Sequence, residues 1–220
     1  MKIFGEAAGA VWSRKALWAV QGVGNLVALA LAWVWFALPD AEVWQVAASG
    51  VLGAIAVCLI LWLHGATMAA YHQDAGVPWR ATVKRLPVLI VWLVVLVAAV
   101  WGLLRWIPPQ RSVWRMLAIA GVLLVLIPLA SQFATRGFRL RGVGACLNWR
   151  YPAGFASATI LGVYLPLRLV WWVPEVEGIA SQAASMGARF LLAYLLAVAS
   201  WLLLASLVGW LSAENISGQS

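Results

Sequence analysis

Six stretches of the chain, each of about 20 residues, consist mainly of apolar side chains and contain no aspartate or glutamate. They lie near residues 16–38, 46–68, 87–107, 116–134, 156–174 and 190–212. A helix of this length crosses the hydrocarbon core of a bilayer, which is about 30 Å thick. Charged residues make up only 10% of the chain, against about 25% in soluble domains. The sequence therefore predicts an all-α, polytopic integral membrane protein whose 220 residues form one membrane domain with six transmembrane helices.

The basic residues of the connecting segments indicate which side of the membrane each segment faces. The N-terminus, residues 69–86, residues 135–155 and the C-terminus carry a net charge of +7, and the remaining segments carry +1, of the formal total of +8. Short cytoplasmic loops are enriched in lysine and arginine. We therefore expect a plasma (inner) membrane protein with both termini in the cytoplasm.

Each odd-numbered span follows a stretch that is too polar to cross the membrane. In residues 2–15 the apolar side chains recur at helical spacing, which predicts a helix lying on the cytoplasmic membrane surface. The second and third stretches end in the similar triplets Arg85-Leu86-Pro87 and Arg150-Tyr151-Pro152, where proline suits a first helical turn. We interpret the chain as three tandem hairpins with interfacial elbow helices, although inner loops that enter a membrane helix commonly carry these residue types. Three arginines are expected to contact anionic lipid phosphate at the elbows: Arg14, Arg85 and Arg150.

Polar groups at membrane depth are few. Gln21 and Asn25 share one face of the first span, and His64 lies near the inner end of the second. We predict that these two spans pack together, with His64 hydrogen-bonded to Gln21 or Asn25. A metal, haem or proton-relay role for His64 is the alternative, but no second ligand accompanies it. The second span also carries small residues at four-residue spacing, which would allow close approach: Gly50, Ala54 and Cys58.

Arginines also lie near the predicted outer ends of the later spans. Arg105, Arg168 and Arg189, together with Tyr164, could contact a phosphate or carboxylate, because guanidinium groups bind such anions through paired hydrogen bonds. The simpler interpretation is ion pairing with the acidic residues of the outer loops. Those residues are Asp40, Glu42, Glu175 and Glu177.

The chain carries no P-loop, zinc-protease or serine-elbow motif, and no carboxylate inside a span. We therefore expect neither catalysis nor a cofactor, and the dispersed basic charge does not favour nucleic acid. The favoured function is a non-catalytic structural or regulatory membrane subunit that contacts lipids, anionic on the cytoplasmic side, and a membrane-protein partner or a second copy. One alternative is a permease or channel-like component for a small anionic or amphiphilic solute. Another is a lipid-modifying enzyme that uses His64.

Overall fold

A computed structural model of the chain describes residues 2–39, 41–73, 77–136, 148–174 and 177–217. Within these ranges the regular structure is entirely helical. The helices are α1 (Lys2–Ser13), α2 (Lys15–Ala37), α3 (Val43–Gln73), α4 (Trp79–Trp106), α5 (Ser112–Arg136), α6 (Arg150–Trp171) and α7 (Ile179–Ser217). The six helices α2 to α7 are each long and apolar enough to cross a membrane. The all-helical, six-span prediction is confirmed to this extent, and the composition indicates a membrane protein.

Helices α3 and α7 form the centre of the bundle. Each of α2, α4 and α6 packs against the helix that follows it, and α3 also contacts α4, α5 and α7. Helix α7 contacts α1, α2, α3, α5 and α6. Half of the most apolar stretch of α7 is buried, whereas only 6–22% of the corresponding stretch is buried in each of the other five long helices. The sides of α2 to α6 are therefore largely uncovered apolar surface.

Helix α1 packs against the C-terminal part of α7. Ala7 and Val11 are buried, and the Ser206 hydroxyl donates a hydrogen bond of 3.3 Å to the Ala7 carbonyl. Trp12 lies on the other side of α1 and is 77% exposed. Some apolar residues of α1 therefore pack against α7, and others are exposed on the surface of the bundle. We call this end of the bundle the α1 end and the opposite one the far end.

The expected elbow before the third span is part of the span itself. Helix α4 begins at Trp79 and continues through Pro87, so that Pro87 does not lie in a first turn. Thr82 precedes Pro87 and Leu89 follows it, two turns apart on one face of α4, and both are buried. The same face of α4 is therefore packed on both sides of the proline. The triplet Arg150-Tyr151-Pro152 lies in a first helical turn as predicted, because α6 begins at Arg150. Most of the loop before it, residues 137–147, lies outside the described residues, as does Cys146.

Helix α6 contains one widened turn. Residues Ile160–Tyr164 form a π-helical turn, and Pro166 lies two residues after it. Proline cannot donate to the preceding turn and its ring clashes with a carbonyl there, so a wider turn accommodates it. Gly162 faces Ser200 of α7 within this turn, and a Cβ atom at residue 162 would lie only 2.8 Å from the Ser200 Cβ. Glycine therefore allows the widened turn to rest against α7.

Candidate functional site

A buried hydrogen-bond network joins α2 to α3 near the α1 end. Gln21 is fully buried, and its Nε2 donates to the Thr67 hydroxyl at 2.5 Å. Thr67 donates in turn to the Leu63 carbonyl at 2.9 Å, and Asn25 Nδ2 donates to Gln21 Oε1 at 2.9 Å. The predicted packing of the first two spans is present, and Gln21 and Asn25, which were expected on one face of the first span, are bonded to each other. Their contact with α3 is made through Thr67, which the sequence analysis did not single out.

His64 does not join this network. Its ring packs edge-on against Trp201 of α7, with the ring centroids 4.7 Å apart. Leu63 and Thr67 lie on the side of α3 that faces Gln21, and a residue next to Leu63 in a helix points about 100° away. The expected hydrogen bond from His64 to Gln21 or Asn25 is therefore replaced by contact with α7. No group of three or more His, Cys, Asp or Glu suited to a metal ion occurs within the described ranges.

Several buried polar atoms near the contact of α3, α5 and α7 lack a hydrogen-bond partner among the described residues. Trp201 and Tyr71 both pack against a small cluster made by Met68, Ala130 and Ala205. The unpartnered atoms are His64 Nδ1, Tyr71 Oη, Ser131 Oγ, Gln132 Oε1 and Trp201 Nε1. Of these residues only His64 is singled out by the sequence, because the others lie on three helices that are far apart in the chain and each is unremarkable in its own helix.

The stripe of small residues on α3 does not face α2. Gly50 and Ala54 are exposed, and nothing lies within 4 Å of a Cβ atom placed on Gly50. Close approach of α2 and α3 instead occurs at Gly24, against Leu63, and at Gly53, against Trp35. The side of α3 that carries Ala54 and Cys58 lines an apolar groove of about 480 Å³ with α4. The stripe was therefore expected on the wrong side of α3, because the helix is rotated about its axis so that Gly53, rather than the stripe, approaches α2.

Arg14, expected at the lipid surface, contacts the C-terminal part of α3. Its NH1 donates to the Ala70 carbonyl at 2.8 Å, and its guanidinium carbon lies 5.1 Å from the Tyr71 ring centroid. This arginine therefore connects the α1–α2 junction to α3. Arg85 is half-buried on α4, and Arg150 begins α6 with its backbone N–H donating to Asn148 Oδ1 at 3.2 Å.

The four residues expected to form an anion site lie on two separate parts of the bundle. Arg168 stacks on Tyr164 of the same helix, at 5.3 Å, and its Nε donates to the Tyr164 hydroxyl at 3.2 Å. Arg189 lies on α7, which packs beside α6. Arg105 stacks on Trp101 of α4, whose main neighbours are α3 and α5. The structure therefore brings the pair Tyr164 and Arg168 together and leaves Arg105 on another helix.

The ion pairs expected at this end do not form among the described residues. None of the arginines at the far end pairs with a carboxylate there, and Glu42 instead accepts a hydrogen bond from the Trp44 indole. Arg115 donates to the carbonyls of Leu104 and Ile107, at 2.7 and 2.6 Å, and so caps α4. Two of the expected partners, Asp40 and Glu175, lie outside the described residues.

Arg189 caps α6 in a similar way. Its NH1 donates to the Trp172 carbonyl, and its Nε donates to the Ser185 carbonyl at 3.3 Å. The side chain lines a groove of about 540 Å³ between α6 and α7. A second groove of about 550 Å³ contains Arg168 and Trp172. Both grooves combine a guanidinium group with apolar walls.

A further hydrogen bond joins two helices that are distant in the sequence. The Tyr194 hydroxyl on α7 donates to the Gly22 carbonyl on α2.

Comparison of the chain with protein-family models, with curated proteins and with solved structures gave no significant match.

Proposed function

We propose that this protein is a non-catalytic subunit of the plasma membrane, structural or regulatory, that acts through lateral contacts with another membrane protein. The observation that carries the proposal is the uncovered apolar surface of α2 to α6. In each of these helices, 22% or less of the most apolar stretch is buried. The polar side chains Gln21, Asn25 and Thr67 are bonded to one another rather than directed into an open passage. In such an arrangement the interior holds the helices together, and the sides remain for binding.

The proposed topology places the α1 end in the cytoplasm. The three pairs α2–α3, α4–α5 and α6–α7 are then tandem hairpins, and each pair is in direct contact. Charge supports this orientation, because the segments on the α1 side carry most of the lysine and arginine. Trp12 and Trp149, both exposed, would lie at the cytoplasmic lipid interface, where indole rings are favoured.

The groove between α3 and α4 is the surface that we assign to the partner. Its walls include Ile55, Cys58 and Val83, and Trp62 forms part of its floor. Trp62 is held in place, since its Nε1 donates to the Trp79 carbonyl at 3.1 Å and the two indole rings meet edge-on. A preformed apolar groove suits a partner helix better than flexible side chains would, because less order is lost on binding.

The proposal is tested by photo-crosslinking in native membranes followed by native mass spectrometry. A benzophenone amino acid at Ile55, in the groove, is compared with the same group at Val94, an exposed position on α4 outside the groove. We expect one protein of constant mass to crosslink at residue 55 and not at residue 94, and to co-purify in a fixed ratio. Lipid adducts alone at both positions, together with purification of the chain by itself, would contradict the subunit proposal.

The alternative proposal is a permease or channel-like component for a small anionic or amphiphilic solute. Arg168 and Arg189 form no ion pair with a carboxylate among the described residues, and their positive charge favours this alternative, whereas Arg105 lies on a helix that packs elsewhere. If the chain purifies alone, flux of a small organic anion into liposomes is measured. Flux that falls in Arg168→Gln and not in Arg105→Gln would support transport in place of the subunit function.

A further inference from the structure

We propose that the groove between the far ends of α6 and α7 binds a phospholipid, with Arg189 as the ligand of its phosphate. The inference rests on the membrane location proposed above but not on the presence of a protein partner. Two independent features carry it: the arrangement of polar and apolar side chains along the groove, and the guanidinium group of Arg189 that lines it.

At its far end the groove is lined by two polar side chains of α7 and by Val173 and Pro174, which follow α6, and further along α7 its lining is apolar apart from Arg189. Gln182 and Ser185 lie toward the start of α7, whereas Met186 and Phe190 continue along the helix. Val170 forms the facing wall on α6. If α7 crosses the membrane, its start lies nearer the surface and residue 190 lies deeper. A glycerophosphate group would then meet the polar end, and an acyl chain would follow Phe190, which is half exposed, into the bilayer.

Arg189 follows Met186 on α7, and its side chain reaches back to the Ser185 carbonyl and is held in position there. Its hydrogen bonds to the carbonyls of Trp172 and Ser185 fix the guanidinium group against the end of α6. A guanidinium group has five N–H donors, and these contacts use two of them. The remaining donors can bind phosphate oxygens, and a side chain already held by carbonyls loses little freedom when it does so.

The guanidinium groups beside the groove favour an anionic ligand. Arg168 and Arg189 form no ion pair within the part of the chain that the structure describes, and Glu177 is the described carboxylate closest to them in sequence. Guanidinium groups near a bilayer surface attract phosphate. Exposed tryptophans mark the same level of the bundle, on several helices: Trp33, Trp44, Trp101, Trp106, Trp114, Trp171 and Trp172. Indole rings concentrate at the lipid headgroup level, which places the groove beside phospholipid phosphates.

The test is lipid titration of the purified, delipidated full-length protein, followed by native mass spectrometry. The probe is 1-palmitoyl-2-oleoyl phosphatidylglycerol, compared with a diacylglycerol that has the same chains and with inorganic phosphate. Arg189→Gln removes the phosphate ligand, and Met186→Trp fills the groove while leaving the charge in place. Arg115→Gln is the matched control, because Arg115 also caps a helix at the far end through backbone carbonyls.

We expect the phospholipid to bind, and its apparent Kd to rise about tenfold or more in Arg189→Gln and in Met186→Trp, with Arg115→Gln within about twofold of wild type. Diacylglycerol should not bind detectably, and inorganic phosphate at about 10 mM should not displace the lipid. Unchanged affinity in Arg189→Gln would overturn the proposal. Full displacement by inorganic phosphate would instead identify a free-anion site. Because the measurement uses the isolated chain, its failure leaves the crosslinking test of the subunit proposal unaffected.

Discussion

Gln21 of α2 donates a hydrogen bond to Thr67 of α3 in a part of the bundle where both residues are completely buried. Thr67 uses its own hydroxyl proton on the Leu63 carbonyl, so it can accept from Gln21 without leaving a donor unused. The register of α2 on α3 is thereby defined by one amide and one hydroxyl. Apolar contacts alone would allow neighbouring registers, since lipid and leucine are similarly apolar.

A double-mutant cycle between Gln21 and Thr67 should reveal this coupling. Gln21→Met and Thr67→Val each remove one partner while roughly conserving volume. Hydrogen bonds between membrane helices contribute about 0.6–2 kcal/mol. We expect a coupling energy of about 1 kcal/mol in the free energy of unfolding, measured by denaturant titration in detergent micelles. The control is Ser157→Ala, because the Ser157 hydroxyl is exposed and bonds only to its own helix. Strictly additive losses would show that the two side chains do not stabilise each other.

The six long apolar helices could be predicted because apolar length is a local property of the sequence. Which face of a helix meets which neighbour depends on the whole bundle. The stripe Gly50, Ala54 and Cys58 has a spacing suited to packing, yet Gly53 and Gly24 mark the approach of α2 to α3. His64 was assigned to the wrong neighbour for the same reason. Nothing in the local sequence shows that α7, 39 residues long, occupies the centre and takes His64 through Trp201.

Gly209 is expected to be intolerant of even a methyl group. A Cβ atom at residue 209 would lie 3.0 Å from the backbone carbon and oxygen of Tyr71, and backbone cannot move aside as a side chain can. Gly209→Ala should therefore lower the free energy of unfolding by about 1–3 kcal/mol. Gly121→Ala is the matched control, because Gly121 is also helical and has open space around it. Alanine there should be neutral or stabilising by up to about 1 kcal/mol, and equal losses at both positions would contradict the close approach of α3 and α7.

Replacing Arg14 with an uncharged side chain should lower the local stability of α1. Arg14→Met deletes the hydrogen bond to Ala70 and the contact with the Tyr71 ring, which together connect the α1–α2 junction to α3. Amide hydrogen exchange in α1 should rise by about tenfold, corresponding to about 1.4 kcal/mol of lost local stability. Lys15→Met, an exposed neighbour with the same change in charge, serves as the control. Equal exchange in the two variants would mean that charge, rather than the contacts of Arg14, holds α1.

The proposed orientation predicts opposite labelling of two engineered cysteines. In a background carrying Cys58→Ala and Cys146→Ser, Gly5→Cys lies on α1 and Gln110→Cys lies in the turn between α4 and α5, and both positions are exposed. A membrane-impermeant maleimide should label residue 110 in intact spheroplasts and residue 5 only after the membrane is opened. The reversed pattern would place the α1 end outside, against the distribution of lysine and arginine.

Trp92 and Trp201 provide a comparison between a satisfied and an unpartnered indole. Both pack against the cluster of Met68, Ala130 and Ala205. Trp92 Nε1 donates to the Leu126 carbonyl at 2.9 Å, whereas Trp201 Nε1 has no acceptor among the described residues. Phenylalanine removes a similar apolar area at either site, so the difference between the two variants isolates the hydrogen bond.

Trp92→Phe should accordingly lower the free energy of unfolding by about 1 kcal/mol more than Trp201→Phe does. The loss in Trp201→Phe should come only from reduced packing against His64 and its neighbours. The two free energies are measured under the same detergent conditions, with Trp201→Leu as a further variant that removes the ring. Equal losses in the two phenylalanine variants would contradict the expected difference. They would indicate that the Trp201 N–H is satisfied by a buried water, since polar atoms in a protein interior that lack a protein partner commonly bind one.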